Sequence, residues 1–207
     1  MTLKKLDIAD EMRKGWALFR PNMGLMIIAG LIATLLSAVT CGILSGPLAA
    51  GMFLLVRRVI KNDPVKPQAG DIFKGFDFFA QALLVSVICL VAIILLSMIP
   101  VLGQLAGLVV ASVMMWAMLF VVHQKMKAID AFKKVFGYLQ TGEFTMPLLF
   151  ALLTSVVSGL GAIACGIGVF FTIPLSYCML ACAYETLFGD ATEGDASVPP
   201  PSADLRM

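Results

Sequence analysis

The residues that could do chemistry in this chain are few. Cys178 and Cys182 stand at i and i+4, on one face of a helix, and two thiolates so spaced could share a metal. A metal would need further ligands nearby, and the only histidine, His123, ends a different apolar run. The five cysteines, Cys41, Cys89, Cys165, Cys178 and Cys182, all lie inside or at the end of apolar runs. Their number is odd and their spacing fits no zinc template, so they read as small apolar side chains and no metal or other cofactor is expected.

Ser45, Ser97 and Ser158 have no base close in sequence, and His123 would have to serve alone. The segment Gly46-Pro47-Leu48 is not followed by Lys-Ser or Lys-Thr, so it is not a phosphate loop. No zinc-protease helix and no serine-hydrolase elbow occurs either. No catalytic residue is expected. Arg57 and Glu185 sit near span ends, and beyond Asn22 at the edge of the first span Gln81 and Gln104 are the only amides within spans. Ion-coupled transport normally draws on ionisable groups inside spans, so this pattern disfavours it.

The elements that would position these residues are membrane spans. The chain is 60% hydrophobic and 14% charged, with a mean hydropathy of +0.96. A soluble domain carries about 25% charged residues, so this chain cannot cover itself with polar surface. Its apolar residues fall in long blocks, expected as six helices over residues 22–41, 43–60, 78–99, 102–123, 146–165 and 167–188. The expected fold is therefore an all-α, six-span transmembrane bundle over residues 1–188, with a disordered cytoplasmic tail over 189–207.

Within the spans, small residues mark expected helix contacts. Gly42 and Gly46 form a GxxxG pair, and Gly103, Gly107 and Ala111 form a stripe spaced by four. Met114, Met115 and Met118 extend that helix as gap-fillers. Pro174 interrupts the last span and should kink it.

Three amphipathic segments lead into pairs of spans. Ile8, Met12, Trp16 and Phe19 share the apolar side of the first, opposite Asp7, Asp10, Glu11 and Lys14. Asp71-Ile-Phe-Lys-Gly-Phe76 and Asp130-Ala-Phe-Lys-Lys-Val-Phe136 echo Asp10-Glu-Met-Arg-Lys-Gly-Trp16 at near-equal spacing. This reads as three repeats of an interfacial helix plus a helical hairpin. The alternative is that any cytoplasmic lead-in to a span looks aromatic and basic.

All 15 Lys and Arg, and all 13 Asp and Glu, lie before the first span, around the loops after the second and fourth, or at the chain's end. The turns after the first, third and fifth spans carry none. The positive-inside rule then puts both termini in the cytoplasm.

Gly46-Pro-Leu-x-x-Gly51, the basic span end at Arg57-Arg58, Asp71-Ile-Phe-Lys-Gly-Phe76 and Ile173-Pro-Leu175 running to Tyr184 together resemble a family of uncharacterised bacterial multi-pass membrane proteins. The chain is also similar to the membrane-embedded domain attached to some glycerophosphodiester phosphodiesterases. The resemblance implies a bacterial inner membrane and leaves the activity open: these 207 residues hold no hydrolase motif, so no catalytic residue is expected to carry over.

The function expected on these grounds is non-catalytic: organising lipid or a protein partner at the cytoplasmic face. Arg57, Arg58, Lys133 and Lys134 are the expected contacts for anionic lipid or a partner. Phe73, Phe76, Phe132 and Phe136 would anchor the same segments. No nucleic acid is expected. A permease-like carrier of a neutral or amphiphilic solute is the alternative, and a lipid-modifying enzyme a third.

Overall fold

The computed structural model describes residues 6–40, 42–98, 102–140, 145–163 and 168–196. Eight α-helices follow in order among them: α1 (Ile8–Phe19), α2 (Met23–Val39), α3 (Ser45–Ile60), α4 (Phe79–Ser97), α5 (Leu102–Gln124), α6 (Ala128–Gln140), α7 (Thr145–Ile163) and α8 (Val169–Ala196). A 3-10 turn, Arg20–Asn22, links α1 to α2, and a long 3-10 segment, Ala69–Phe78, leads into α4. No strand occurs among the described residues.

The stretches Ile8–Val39, Ala69–Leu96, Ala106–Gln124 and Phe170–Gly189 are each long and apolar enough to cross a membrane. A fifth crossing arises if Ala128–Gln140 and Thr145–Gly159 count together, but these two meet at 114°. The 16-residue α3 is shorter, and it is the buried axis of the bundle. Gly46 to Phe53, Leu55, Val56 and Val59 are all buried, against α2, α4, α5, α8 and the 69–78 segment. The outer helices show the reverse. Leu84, Val87, Ile88, Leu90, Val91, Ile94 and Leu95 of α4 are exposed, as are Ile28, Leu31, Leu35 and Val39 of α2. Such an apolar outside suits lipid contact, because hydrocarbon exposed to a bilayer costs nothing.

Glycine sets the closest crossing. A Cβ on Gly51 of α3 would overlap the carbonyl oxygen of Ile72, and one on Gly75 would overlap that of Pro47. The backbones of α3 and the 69–78 segment therefore touch. The segment's 3-10 winding is unusually long for its type. It begins where the Asp71 carboxylate accepts from the Gln68 N–H at 2.9 Å.

Several expectations need correction. Gly42 is not a packing residue: its φ of +84° closes the turn before α3, and a Cβ there would meet nothing within 4 Å. Gly46 does pack closely, on Ala82 and Ser86 of α4. Gly103, Gly107 and Ala111 do not form one tight seam. Gly103 is buried and Ala111 half-buried, but a Cβ on Gly107 would meet nothing within 4 Å. The tight part of α5 is its second half, where Trp116, Met118 and Phe120 are buried. Large side chains interdigitate there, so the helices need no small-residue contact. Pro174 lies inside α8, which continues through it, and its ring sits under Gly30 of α2, where a Cβ would come within 2.7 Å of Cγ.

The first amphipathic helix is turned from its expected setting. Glu11, Gly15 and Phe19 are the buried line of α1, while Trp16 is 42% exposed. Gly15 decides this, because a Cβ there would come within 2.7 Å of the Met179 Cα, so α1 presses flat on α8. The polar tail expected from Gly189 also begins later, since α8 runs on to Ala196. Residues 197–207 lie outside the described residues, as do Cys41, Pro100 and Cys165.

Candidate functional site at the basic end of the bundle

The start of α1, the ends of α3, α5 and α8, the start of α4 and all of α6 meet at one end of the molecule. The contacts that tie them together are polar. His123 is buried, and its Nδ1 lies 3.2 Å from the Leu119 carbonyl. That places the proton on Nδ1 and leaves Nε2 as an acceptor. Nε2 faces Glu185 Oε1 at 4.0 Å, and Arg57 Nε lies 3.9 Å from the same oxygen. Neither Nε2 nor Oε1 has a hydrogen-bond partner.

A second strand of the network runs outward. Gln124 Nε2 donates to the Tyr184 hydroxyl at 3.0 Å, and the Gln124 oxygen accepts from Lys134. Lys134 also lies over the Phe120 ring, 5.0 Å from its centroid, as a cation–π pair. Phe120, Tyr184 and Phe188 pack edge-on or tilted around it. Gln81 of α4 accepts from the Ala128 N–H at 2.8 Å and so satisfies one of the free donors at the start of α6.

A third strand docks α1. Glu11 is 1% exposed. Its Oε1 accepts from Lys14 at 2.8 Å and from the Thr186 hydroxyl at 2.9 Å, while Oε2 has no partner. The three orphaned atoms of this end are thus all acceptors.

Arg58 belongs to a different structure. Its guanidinium donates to Asp63 at 2.8 Å, to Asp71, and to the Val65 carbonyl at 3.3 Å. It clamps the loop between α3 and the 69–78 segment, with its charge met by two carboxylates. Its hydrogen bond also holds Asp63 below the ordinary carboxylate value. A lowered carboxylate contributes stability above its unfolded value, and the contribution is lost as pH falls through the folded one. Protection from hydrogen exchange over residues 61–71, taken relative to the intrinsic rate at each pH, is therefore expected to be high at neutral pH and to be lost as pH falls below 3.8 through the lowered Asp63 value. Arg58→Gln should lower that protection at neutral pH and change it little at acid pH. Equal exchange in variant and parent would show the clamp to be idle.

Of the four expected basic contacts, then, Arg57 and Lys134 join one internal network and Arg58 a separate clamp. Only Lys133 projects freely, beside exposed Ile129 and Phe136 on α6. Lys127 is exposed at the head of the same helix. Sequence reasoning missed Glu11, His123, Gln124, Tyr184, Glu185 and Thr186 as a group. The one available signal was Tyr184-Glu185-Thr186, three polar residues set into the apolar run before Phe188.

Several hydroxyls described inside the helices bond locally. Ser86, Ser112, Thr154 and Ser176 donate to carbonyls of their own helices at 2.7–3.0 Å. Among the described residues, no three His, Cys, Asp or Glu side chains gather as metal ligands. Comparison with protein-family models, with curated proteins and with solved structures finds no match.

Proposed function

We propose that the chain is a non-catalytic, multi-pass membrane protein that holds anionic lipid at its basic end. In this reading α2, α3, α4, α5, α7 and α8 are six spans, both termini are cytoplasmic, and the three amphipathic segments lie at that face as repeats of one unit. The setting is a bacterial inner membrane, as the sequence resemblance implies. The observation that carries the reading is α6. It buries the small side chains Ala128, Ala131 and Val135 against the bundle, exposes Ile129 and Phe136, and presents Lys133 beside them, with exposed Lys127 just before its first turn. An exposed apolar face edged with lysine is the pattern of a helix seated under anionic headgroups.

Two measurements test it. Reporter fusions at Gly42, Pro100 and Gly166 should report the far side, and fusions after Ile60, His123 and Phe188 the cytoplasm. A far-side signal from the second group overturns the topology. In a protein so oriented, Lys127→Gln with Lys133→Gln should lower retained anionic lipid about tenfold, from ~1 kcal/mol per charge less screening. Unchanged retention would reduce these lysines to topology signals.

A permease-like carrier is the second reading, and one observation favours it. Glu11, His123 and Glu185 each carry a buried acceptor without a partner. Carriers that couple to protons use such groups. Vesicles loaded with a pH dye discriminate. The binding reading expects no acid entry above that of empty vesicles, and entry abolished by His123→Ala would favour the carrier.

A further inference from the structure

We propose that one acyl chain of the anionic lipid seats in the groove walled by α4, α5 and α6, with its headgroup over Lys127 and Lys133. The inference rests on the lipid-holding function above and adds the site of the chain. The groove holds about 470 Å³, within the roughly 300–1,000 Å³ of sites that take one small ligand. Ile88, Ala92, Val110, Val113, Phe132 and Leu139 are among its walls, and no lining residue carries a charge or a hydroxyl. Such a lining leaves every polar ligand group unsatisfied and suits hydrocarbon alone.

Position selects this groove over its neighbour. The slot between α3 and α4 is of similar size, about 460 Å³, but Ser45 and Ser86 line it and it opens at Gly42, where the turn carries no charge. The α4–α5–α6 groove instead is walled in part by α6, whose exposed Lys133 stands beside its lining. Lys133 neighbours Ile129 at i−4 and Phe136 at i+3, and both of those aromatic or aliphatic side chains line the groove. A lipid with its chain in the slot therefore brings its phosphate toward Lys133, with Lys127 at the head of the same element. Charge at the rim and hydrocarbon in the slot match an anionic amphiphile, and a helix from a second copy would leave the lysines unmatched.

The test uses the full chain in nanodiscs of phosphatidylglycerol and phosphatidylcholine in equal parts, with retained lipid counted by native mass spectrometry. Ala92→Phe with Val110→Phe fills the slot and should lower retained phosphatidylglycerol about fivefold, the loss expected when roughly 1 kcal/mol of chain contact goes. Val87→Phe, in the neighbouring slot, should leave it unchanged. Retention that survives the filled slot but falls with Lys127→Gln and Lys133→Gln overturns the chain site and leaves headgroup binding standing. Retention that survives both overturns both. A dimer mass in the parent that the filled slot abolishes would show that a second copy sits there, against the proposal. Should the filled slot prevent folding, Leu139→Trp gives an independent reading. Chain-brominated phosphatidylglycerol should quench it more than phosphatidylcholine with the same chains, and equal quenching overturns the proposal.

Discussion

Alanine at Gly51 or at Gly75 is expected to cost about 3 kcal/mol or more, the largest single-residue loss in the bundle. The reason is that backbone meets backbone. The added methyl at 51 would overlap the Ile72 carbonyl, and at 75 the Pro47 carbonyl and the Gly51 nitrogen. A flexible side chain could swing aside, but these atoms are fixed by two helices. The 69–78 segment would have to lift from α3, exposing Ile72 and the buried face of α3 between Leu48 and Val56. Gly107 is the control. Its Cβ meets nothing within 4 Å and it lies inside α5, so Gly107→Ala should gain about 0.5–1 kcal/mol through lower chain entropy in the unfolded state. Thermal unfolding in detergent reads both. A Gly51→Ala protein that melts with the parent would mean the crossing is looser than described.

Removing Lys14 is expected to be the second largest effect. Glu11 is buried, and Lys14 and Thr186 supply both of its hydrogen bonds. Lys14→Met keeps most of the stem and deletes the charge, so the carboxylate loses its counterion. Breaking a fully buried pair costs ~3–5 kcal/mol, but Lys14 is half-exposed and part of its attraction is screened, so about 2 kcal/mol is expected. Glu11→Gln removes the charge that needs a partner. The double variant should therefore be more stable than Lys14→Met alone, a coupling that only a buried pair produces. The readout is melting together with proteolysis of residues 8–19, since α1 is held to α8 by this contact and by Gly15. Additive effects would place Glu11 in solvent.

Much of the architecture was legible because hydrocarbon blocks and charge clusters are long-range signals. The described part of each expected apolar block is largely helical, in α2, α3, α4, α5, α7 and α8, but only four stretches, or five with the bent pair, are long and apolar enough to cross a membrane. Pro47 and the loop prolines marked the helix starts and breaks for steric reasons that operate locally. What was not legible depended on which neighbour each face meets. A glycine reads the same in sequence whether it touches a backbone or nothing, which is why Gly51 and Gly75 were passed over and Gly107 was not. The apolar side of α1 pointed to Ile8, Met12 and Trp16, yet Gly15 let the helix approach α8 along a line that includes Glu11.

The site was less legible than the fold. Arg57, Arg58, Lys133 and Lys134 stand as two pairs in sequence, and each pair divides in space. Adjacent residues on a helix point about 100° apart, so one of each pair turns toward different partners from the other. Arg57 meets Glu185 and Arg58 meets Asp63 and Asp71; Lys134 meets Gln124 and Lys133 meets the outside. His123 looked like an edge residue because it ends an apolar run. It is enclosed because Tyr184 packs tilted over it, 4.4 Å between ring centroids, from a helix far along the chain.

The central claim, that the basic end holds anionic lipid, is tested most directly by the composition of what stays bound. The unmodified protein is taken from vesicles of equal parts phosphatidylglycerol and phosphatidylcholine, released gently, and its retained lipids are weighed by native mass spectrometry at low and high salt. The account predicts several-fold enrichment of phosphatidylglycerol at low salt, falling toward parity as the ~8–10 Å screening length shortens. Parity with the vesicle at both salt concentrations would contradict it.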